Sequence, residues 1–202
     1  MAKKYTVPID LALQGGGSHG AFTWGVLDRL LQEPSLQIAA ISGTSAGAMN
    51  AAVLAHGWQR GGADGARDAL DAYWQRVAQA AAFSPLQRSP VDRLMGRWTL
   101  DTSPVYIAME MVARVFSPYV LNPFGLNPLR TILSECIDFD RLAGSAIKLF
   151  VTATNVHTGR GRIFRNGEIT PDVLLASACL ARLGRRGLLR DHLRLALSLI
   201  HI

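Results

Sequence analysis

The chain opens with Val7-Pro-Ile-Asp-Leu-Ala-Leu13, which reads as a short strand running directly into the glycine-rich turn Gln14-Gly-Gly-Gly-Ser-His-Gly20. From Ala21 to Leu31 the apolar residues Phe22, Val26, Leu27, Leu30 and Leu31 fall at helical spacing, with Asp28 and Arg29 on the other side, and Pro34 closes the segment. A second apolar run, Leu36 to Ile41, leads into Ser42-Gly-Thr-Ser-Ala-Gly47, and Ala48 to Ala55 is alanine-rich and helical. The order strand, tight turn, helix thus occurs twice within the first 55 residues.

Gly61-Gly-Ala-Asp-Gly65 reads as a loop, and helical spacing resumes from Ala66 to Ala82 through Leu70, Tyr73, Trp74 and Val77. Between Ser84 and Pro128 the periodicity weakens. Six of the nine prolines lie there, interspersed with Trp98, Tyr106, Phe116, Tyr119 and Phe124, which predicts a cap of short helices and loops. Asn127-Pro128 starts a helix through Cys136. Ile147 to Val156 predicts a strand, His157 to Arg160 a turn, Gly161 to Phe164 a returning strand, and Thr170-Pro171-Asp172 the start of a helix through Cys179.

Composition narrows the class. The 202 residues suit one domain, and 49% hydrophobic against 18% charged residues is too apolar for a disordered chain. Two cysteines cannot build a disulfide framework or a multi-cysteine zinc site, and no metal or cofactor is expected. The charge-free stretch from Pro34 to Gln59 is long enough to span a bilayer, but its Ser, Gln, Gly, Thr, Asn and His content makes a poor spanning helix. With no apolar run near the N-terminus to act as a secretory signal, a cytoplasmic location is expected.

The net charge of +6 is uneven: residues 181–202 hold five arginines against Asp191 alone, so the body is nearly neutral and nucleic acid is not an expected partner. This Leu/Arg-rich tail breaks in composition from all that precedes it.

The chemistry sits in the two glycine turns. Gly43-Thr44-Ser45-Ala46-Gly47 has the Gly-x-Ser-x-Gly pattern between a strand and a helix, the setting that lifts a serine Oγ onto a sharp bend beside the free N–H groups of a helix start. Gly15, Gly16, Gly17 and Ser18 follow the first strand and offer unhindered backbone N–H groups, suited to an oxyanion hole together with Ala46. Gly15-x-Gly17-x-x-Gly20 also fits a dinucleotide fingerprint. That fold expects an acidic residue at the end of the next strand, where this chain has Ile41-Ser42-Gly43, and no Lys follows the glycines as a phosphate loop would require.

These motifs, with Leu149-Phe-Val-Thr-Ala-Thr-Asn155 and Leu175-Ala-Ser-Ala-Cys-Leu180, resemble the patatin-like phospholipases, in particular their bacterial branch, over residues 5–180. The resemblance implies an α/β fold, a patatin-like sheet with helices on both faces, whose C-terminal part is expected to be missing here. It implies a Ser-Asp dyad, with Ser45 as nucleophile, Gly15, Gly16, Gly17 and Ser18 as the oxyanion loop, and no cofactor. The expected partners are a lipid or acyl-ester substrate and, transiently, a membrane surface.

The chain departs from the family after Leu180. The Asp-Gly-Gly or Asp-Gly-Ala motif carrying the dyad Asp is not found there, so that residue is unassigned, and the tail reads as a shifted frame or a truncated gene. Asp64-Gly65-Ala66 spells the tripeptide, but a helix starting at Ser45 carries it about 15 Å away, out of hydrogen-bond reach. Asp64 is read as a solvated loop residue, and Asp191 is not followed by Gly. His19 is expected to pack locally or meet solvent, and His56 to end a helix near its dipole. His157 and His192 lack partners at ligand spacing, and Cys136 and Cys179 are read as small buried residues. The function expected is a serine lipid acyl hydrolase whose activity in this chain is doubtful for want of a base. The rival is a noncatalytic lipid- or nucleotide-binding α/β module.

Overall fold

The computed structural model describes residues 6–82, 128–155 and 158–178. Two compact units divide the chain, one formed by Met1–Gln75 with Leu129–Ile202 and the other by Arg76–Pro128. In the second, the described residues are 76–82, which are helical, and Pro128. The predicted cap with Trp98, Phe116, Tyr119 and Phe124 lies outside the described residues, as do His157, Cys179, His192 and the tail.

The first unit is a mixed α/β structure. Strands β1 (Val7–Leu13), β2 (Leu36–Gly43), β3 (Lys148–Thr154) and β4 (Gly161–Arg165) form one sheet in chain order. β1, β2 and β3 pair in parallel, and β4 returns antiparallel to β3. Parallel neighbours need a crossover, which helix α1 (Gly20–Leu31) provides between β1 and β2. Two hydrogen bonds of described residues close the β3–β4 connection. Asn155 N–H donates to the Arg160 carbonyl at 2.9 Å and Gly159, at φ +66°, donates to the Asn155 carbonyl at 2.8 Å.

The core lies on β2, β3 and the helix that follows β2. Ile41, Leu149, Val151 and Ala153 are fully buried, alternating along β3 with residues that are not, as a two-residue period dictates. Residues 46–57 are buried around their whole circumference, which explains how a charge-free stretch of this length belongs inside the protein. Among the described residues no helix is long and apolar enough to cross a membrane.

Helix α2 spans Ala46–Ala82 and is interrupted at Gly61 and Gly62, the latter at φ +60°, so the expected Gly61–Gly65 loop is a two-residue break from which the helix restarts at once. The arms cross closely at Gly57 and Gly65. A Cβ on Gly57 would run into the Gly65 carbonyl and lie 2.6 Å from the Ala69 Cβ, a space that only hydrogen fills. Asp64 is therefore helical rather than in a loop, but it is solvated as expected, with its side chain 91% exposed and 3.6 Å from Arg67.

Helices α3 (Pro128–Cys136), α4 (Phe139–Leu142) and α5 (Pro171–Ala178) complete the described α-helices. α5 starts where Thr170-Pro171 placed it: the Thr170 hydroxyl accepts from the Val173 N–H at 3.3 Å.

His56 does not end a helix. The first arm of α2 runs on past it, and the ring is buried, with Nδ1 accepting the Asp138 N–H at 3.4 Å. Burial, then the Arg60 guanidinium, and less so Arg141, hold the imidazole below its ordinary value against the opposing pull of Asp138. A folded-state value below the unfolded one favours the neutral ring. The resulting stability is complete above about pH 6.5 and is lost as pH falls below it, because the unfolded state then takes up the proton first. Urea midpoints should therefore decline between pH 7 and pH 5, and His56→Gln should flatten that decline. An unchanged slope in the variant would assign the acid sensitivity to other groups.

Candidate active site

Both glycine turns leave the same end of the sheet. β1 and β2 are paired to their last residues, Leu13 opposite Gly43, and one further hydrogen bond, Thr44 N–H to the Leu13 carbonyl at 3.3 Å, ties the second turn to the first strand. The chain then bends sharply. Ser45 has φ +57° and is the one non-glycine residue at positive φ among those described. For an L-residue this conformation costs on the order of 1–2 kcal/mol, and a serine keeps it only where its surroundings hold it.

Several contacts hold it. The Gly47 N–H donates to the Thr44 carbonyl at 3.0 Å, the Met49 N–H to the Ser45 carbonyl at 3.1 Å, and the Ser45 N–H to Ser177 Oγ at 2.8 Å. A Cβ on Gly43 would stand 2.7 Å from the Ala48 nitrogen. One on Gly47 would run into the Leu13 carbonyl. The two glycines of the pattern are thus required by the close approach of backbone.

Gly15 is the point where the turns meet: its Cβ position lies 3.0 Å from the Ser45 Cβ and 3.2 Å from the Thr44 carbonyl oxygen. Beyond it, Gly17 at φ +56° opens a single 3-10 turn, Gly17–His19, and Gly16, Gly17 and Ser18 are exposed. The exposed His19 donates its backbone N–H to the Gly16 carbonyl at 3.1 Å, and its Nδ1 lies 3.0 Å from the same oxygen, which is the local role expected of it. The N–H groups of Gly15, Gly16 and Ala46 take no partner among the described residues, and neither does Ser45 Oγ. Helix α2 starts at Ala46, immediately after the serine, so its unpaired first amide, that of Ala46, stands at the bend.

The first turn is anchored from below. Asn50, fully buried, donates its Nδ2 to the Gly20 carbonyl at 3.0 Å and accepts the Trp74 indole N–H on Oδ1 at 2.8 Å. Trp74 stacks against Trp24 of α1, 6.5 Å between ring centroids, and meets Tyr73 edge-on. Gly20 fits into this corner, with its Cβ position 2.8 Å from the Ala46 Cβ and 3.0 Å from the Trp74 ring. Asn50→Ala would leave the buried Trp74 indole N–H unpaired and take one donor from the Gly20 carbonyl, which keeps its intrahelical bond, at a cost of about 1–3 kcal/mol. A urea denaturation curve should register a loss of that size, and a neutral result would mean that water replaces the amide.

Of the residues singled out from sequence, Gly15, Gly43, Thr44, Ser45, Ala46 and Gly47 are thus brought together, and Gly16, Gly17 and Ser18 continue the same corner. No described carboxylate or imidazole hydrogen-bonds Ser45 Oγ. Asn50, Trp74 and Ser177 were not anticipated. They are single polar groups in apolar helical segments, and their spacing to the turns carries no local signal.

A family model for patatin-like phospholipase matches residues 11–181, most of the chain. The chain belongs to the patatin-like phospholipase family. Two solved structures are similar to this patatin-like chain. One is the heterodimeric ExoU–SpcU complex of the type III secretion system of Pseudomonas aeruginosa, at 21% identity, covering 86% of this chain and 36% of that one, with a TM-score of 0.39. The other is VipD from Legionella pneumophila, at 16% identity, covering 88% and 43%, also with a TM-score of 0.39. The chain therefore spans less than half the length of either neighbour. No curated protein matches the sequence.

Proposed function

We propose that this patatin-like domain is a serine lipid acyl hydrolase with Ser45 as its nucleophile. The observation that carries the reading is the strained φ of Ser45 beside Gly15. Ser45 Oγ attacks the carbonyl carbon of a carboxylic ester and gives its proton to a base. The carbonyl oxygen becomes an anion facing the N–H groups of the Gly15–Ser18 turn and of Ala46. Collapse expels the alcohol, which takes the proton back, and leaves an acyl-serine that water resolves.

In the Ser-Asp dyad of this proposal an aspartate is the base, and the sequence after residue 180 holds no Asp-Gly pair to supply it. The 202-residue chain should accordingly turn over slowly, since loss of one member of such a catalytic set costs several orders of magnitude in rate. The substrate is an ester of a phospholipid or neutral lipid. Contact with a lipid surface is supported by Phe22, 78% exposed in the first turn of α1 directly after the glycine corner. A noncatalytic binding module would have no use for strain at Ser45, because a relaxed glycine would present the same amides.

A fluorophosphonate probe and p-nitrophenyl acyl esters test the reading. Grafting the Asp-Gly segment of a family member after residue 180 should give stoichiometric labelling at Ser45 and rapid ester hydrolysis, against negligible turnover in the 202-residue chain. Equal turnover in both would defeat the missing-base argument, and labelling elsewhere than Ser45 would defeat the assignment of the nucleophile.

A further inference from the structure

We infer that Ser177 is a positioning residue for acyl transfer, its hydroxyl fixing the backbone amide of the nucleophile; this rests on the proposed role of Ser45. Ser177 lies on α5, is fully buried, and is 132 residues from Ser45 in sequence. Two hydrogen bonds define its orientation. The Ser45 N–H donates to Ser177 Oγ at 2.8 Å, and Ser177 Oγ donates to the Thr152 carbonyl of β3 at 2.7 Å. The directions are fixed by chemistry, since an amide N–H can only donate and a carbonyl can only accept. The single hydroxyl proton is committed to Thr152, so Ser177 offers none to a substrate oxyanion and is not itself catalytic.

The link has two effects on the bend. It occupies the Ser45 N–H, leaving Ala46 and the Gly15–Ser18 turn as the amides that face a developing negative charge. It also opposes relaxation of Ser45 out of φ +57°, because rotation to an unstrained conformation would swing the amide off Ser177 and leave the half-buried Ser45 N–H without its acceptor. β3, through Thr152, and α5, through Ser177, are therefore braced against the nucleophile.

The wild-type 202-residue chain provides the first measurement. Amide hydrogen exchange should show the Ser45 N–H slowed at least 100-fold relative to an unstructured peptide, while the Ala46 N–H, one residue on, exchanges far faster than Ser45. Rapid exchange at Ser45 overturns the inference without any variant. In Ser177→Ala, made in the chain that carries the grafted Asp-Gly segment, the rate constant for fluorophosphonate labelling of Ser45 should fall at least tenfold and the Ser45 amide should lose its protection. The amides of β1 and β3 should keep theirs, showing that the fold is retained. Ser177→Thr, which keeps the hydroxyl, should recover labelling. A folded Ser177→Ala chain labelled as fast as wild type would also overturn the inference. Absence of labelling in the chain that carries the grafted Asp-Gly segment, with Ser177 intact and the Ser45 amide protected, would instead sink the proposed hydrolase and leave the structural link in place.

Discussion

Gly47→Ala is expected to yield little or no folded protein. The added methyl would run into the Leu13 carbonyl oxygen and stand 2.7 Å from the Leu13 carbonyl carbon and 2.8 Å from the Gln14 carbonyl oxygen. All three atoms are backbone, so no side-chain rotation relieves the clash. Either β1 moves away from β2 at the Leu13–Gly43 pair or the first turn of α2 unwinds. A loss above about 4 kcal/mol is in order for such a clash, a large share of the roughly 5–15 kcal/mol that holds a domain together. Circular dichroism and a urea curve measure it, with Gly167→Ala as the control. Gly167 has open space where a Cβ would go, and its substitution should stay within about 0.5 kcal/mol of wild type. Equal stability of the two variants would mean that the corner opens more easily than its contacts suggest.

Ser45→Gly is expected to separate activity from stability. Losing Oγ removes the proposed nucleophile, so in the chain that carries the grafted Asp-Gly segment fluorophosphonate labelling at this position should vanish and ester turnover should drop by several orders of magnitude. The same change lifts the penalty of φ +57°, because glycine occupies that region freely. Against this stands the greater freedom of glycine in the unfolded chain, so the net gain should be about 0.5–1 kcal/mol, read as a higher melting temperature. Ser45→Ala, equally inactive but still strained, should melt near wild type. A glycine variant less stable than the alanine one would show that the bend carries no strain, and would remove the observation on which the hydrolase reading stands.

The framework of this fold was legible because its signals are local. Val7–Leu13 and Leu36–Gly43 run into glycine clusters that only a tight turn explains, and the strand-to-helix setting of Gly43–Gly47 placed Ser45 before any coordinates did. Errors arose where the decisive contact was distant. Gly61 and Gly62 do break a helix, but the second arm restarts at once because Gly57 and Gly65 let the arms touch, a pairing not visible from either segment alone. His56 looked terminal because the glycines that follow it looked terminal, whereas its position is set by Asp138, 82 residues on. Asn50 and Ser177 were hidden for the same reason. In sequence each is one polar residue among alanines and other apolar side chains, and the groups they satisfy, at Gly20 and Trp74 for one and at Ser45 and Thr152 for the other, are brought near only by the sheet.

The span between Ser45 and Ser177 has a temporal consequence during synthesis. The serine and both glycine corners leave the ribosome early, but the hydroxyl that accepts the Ser45 amide follows 132 residues later, on the order of ten seconds at typical elongation rates. Through that interval the elbow has no clamp and can relax to an ordinary backbone conformation. On the hydrolase reading proposed above, the serine is therefore made well before the contact that positions it.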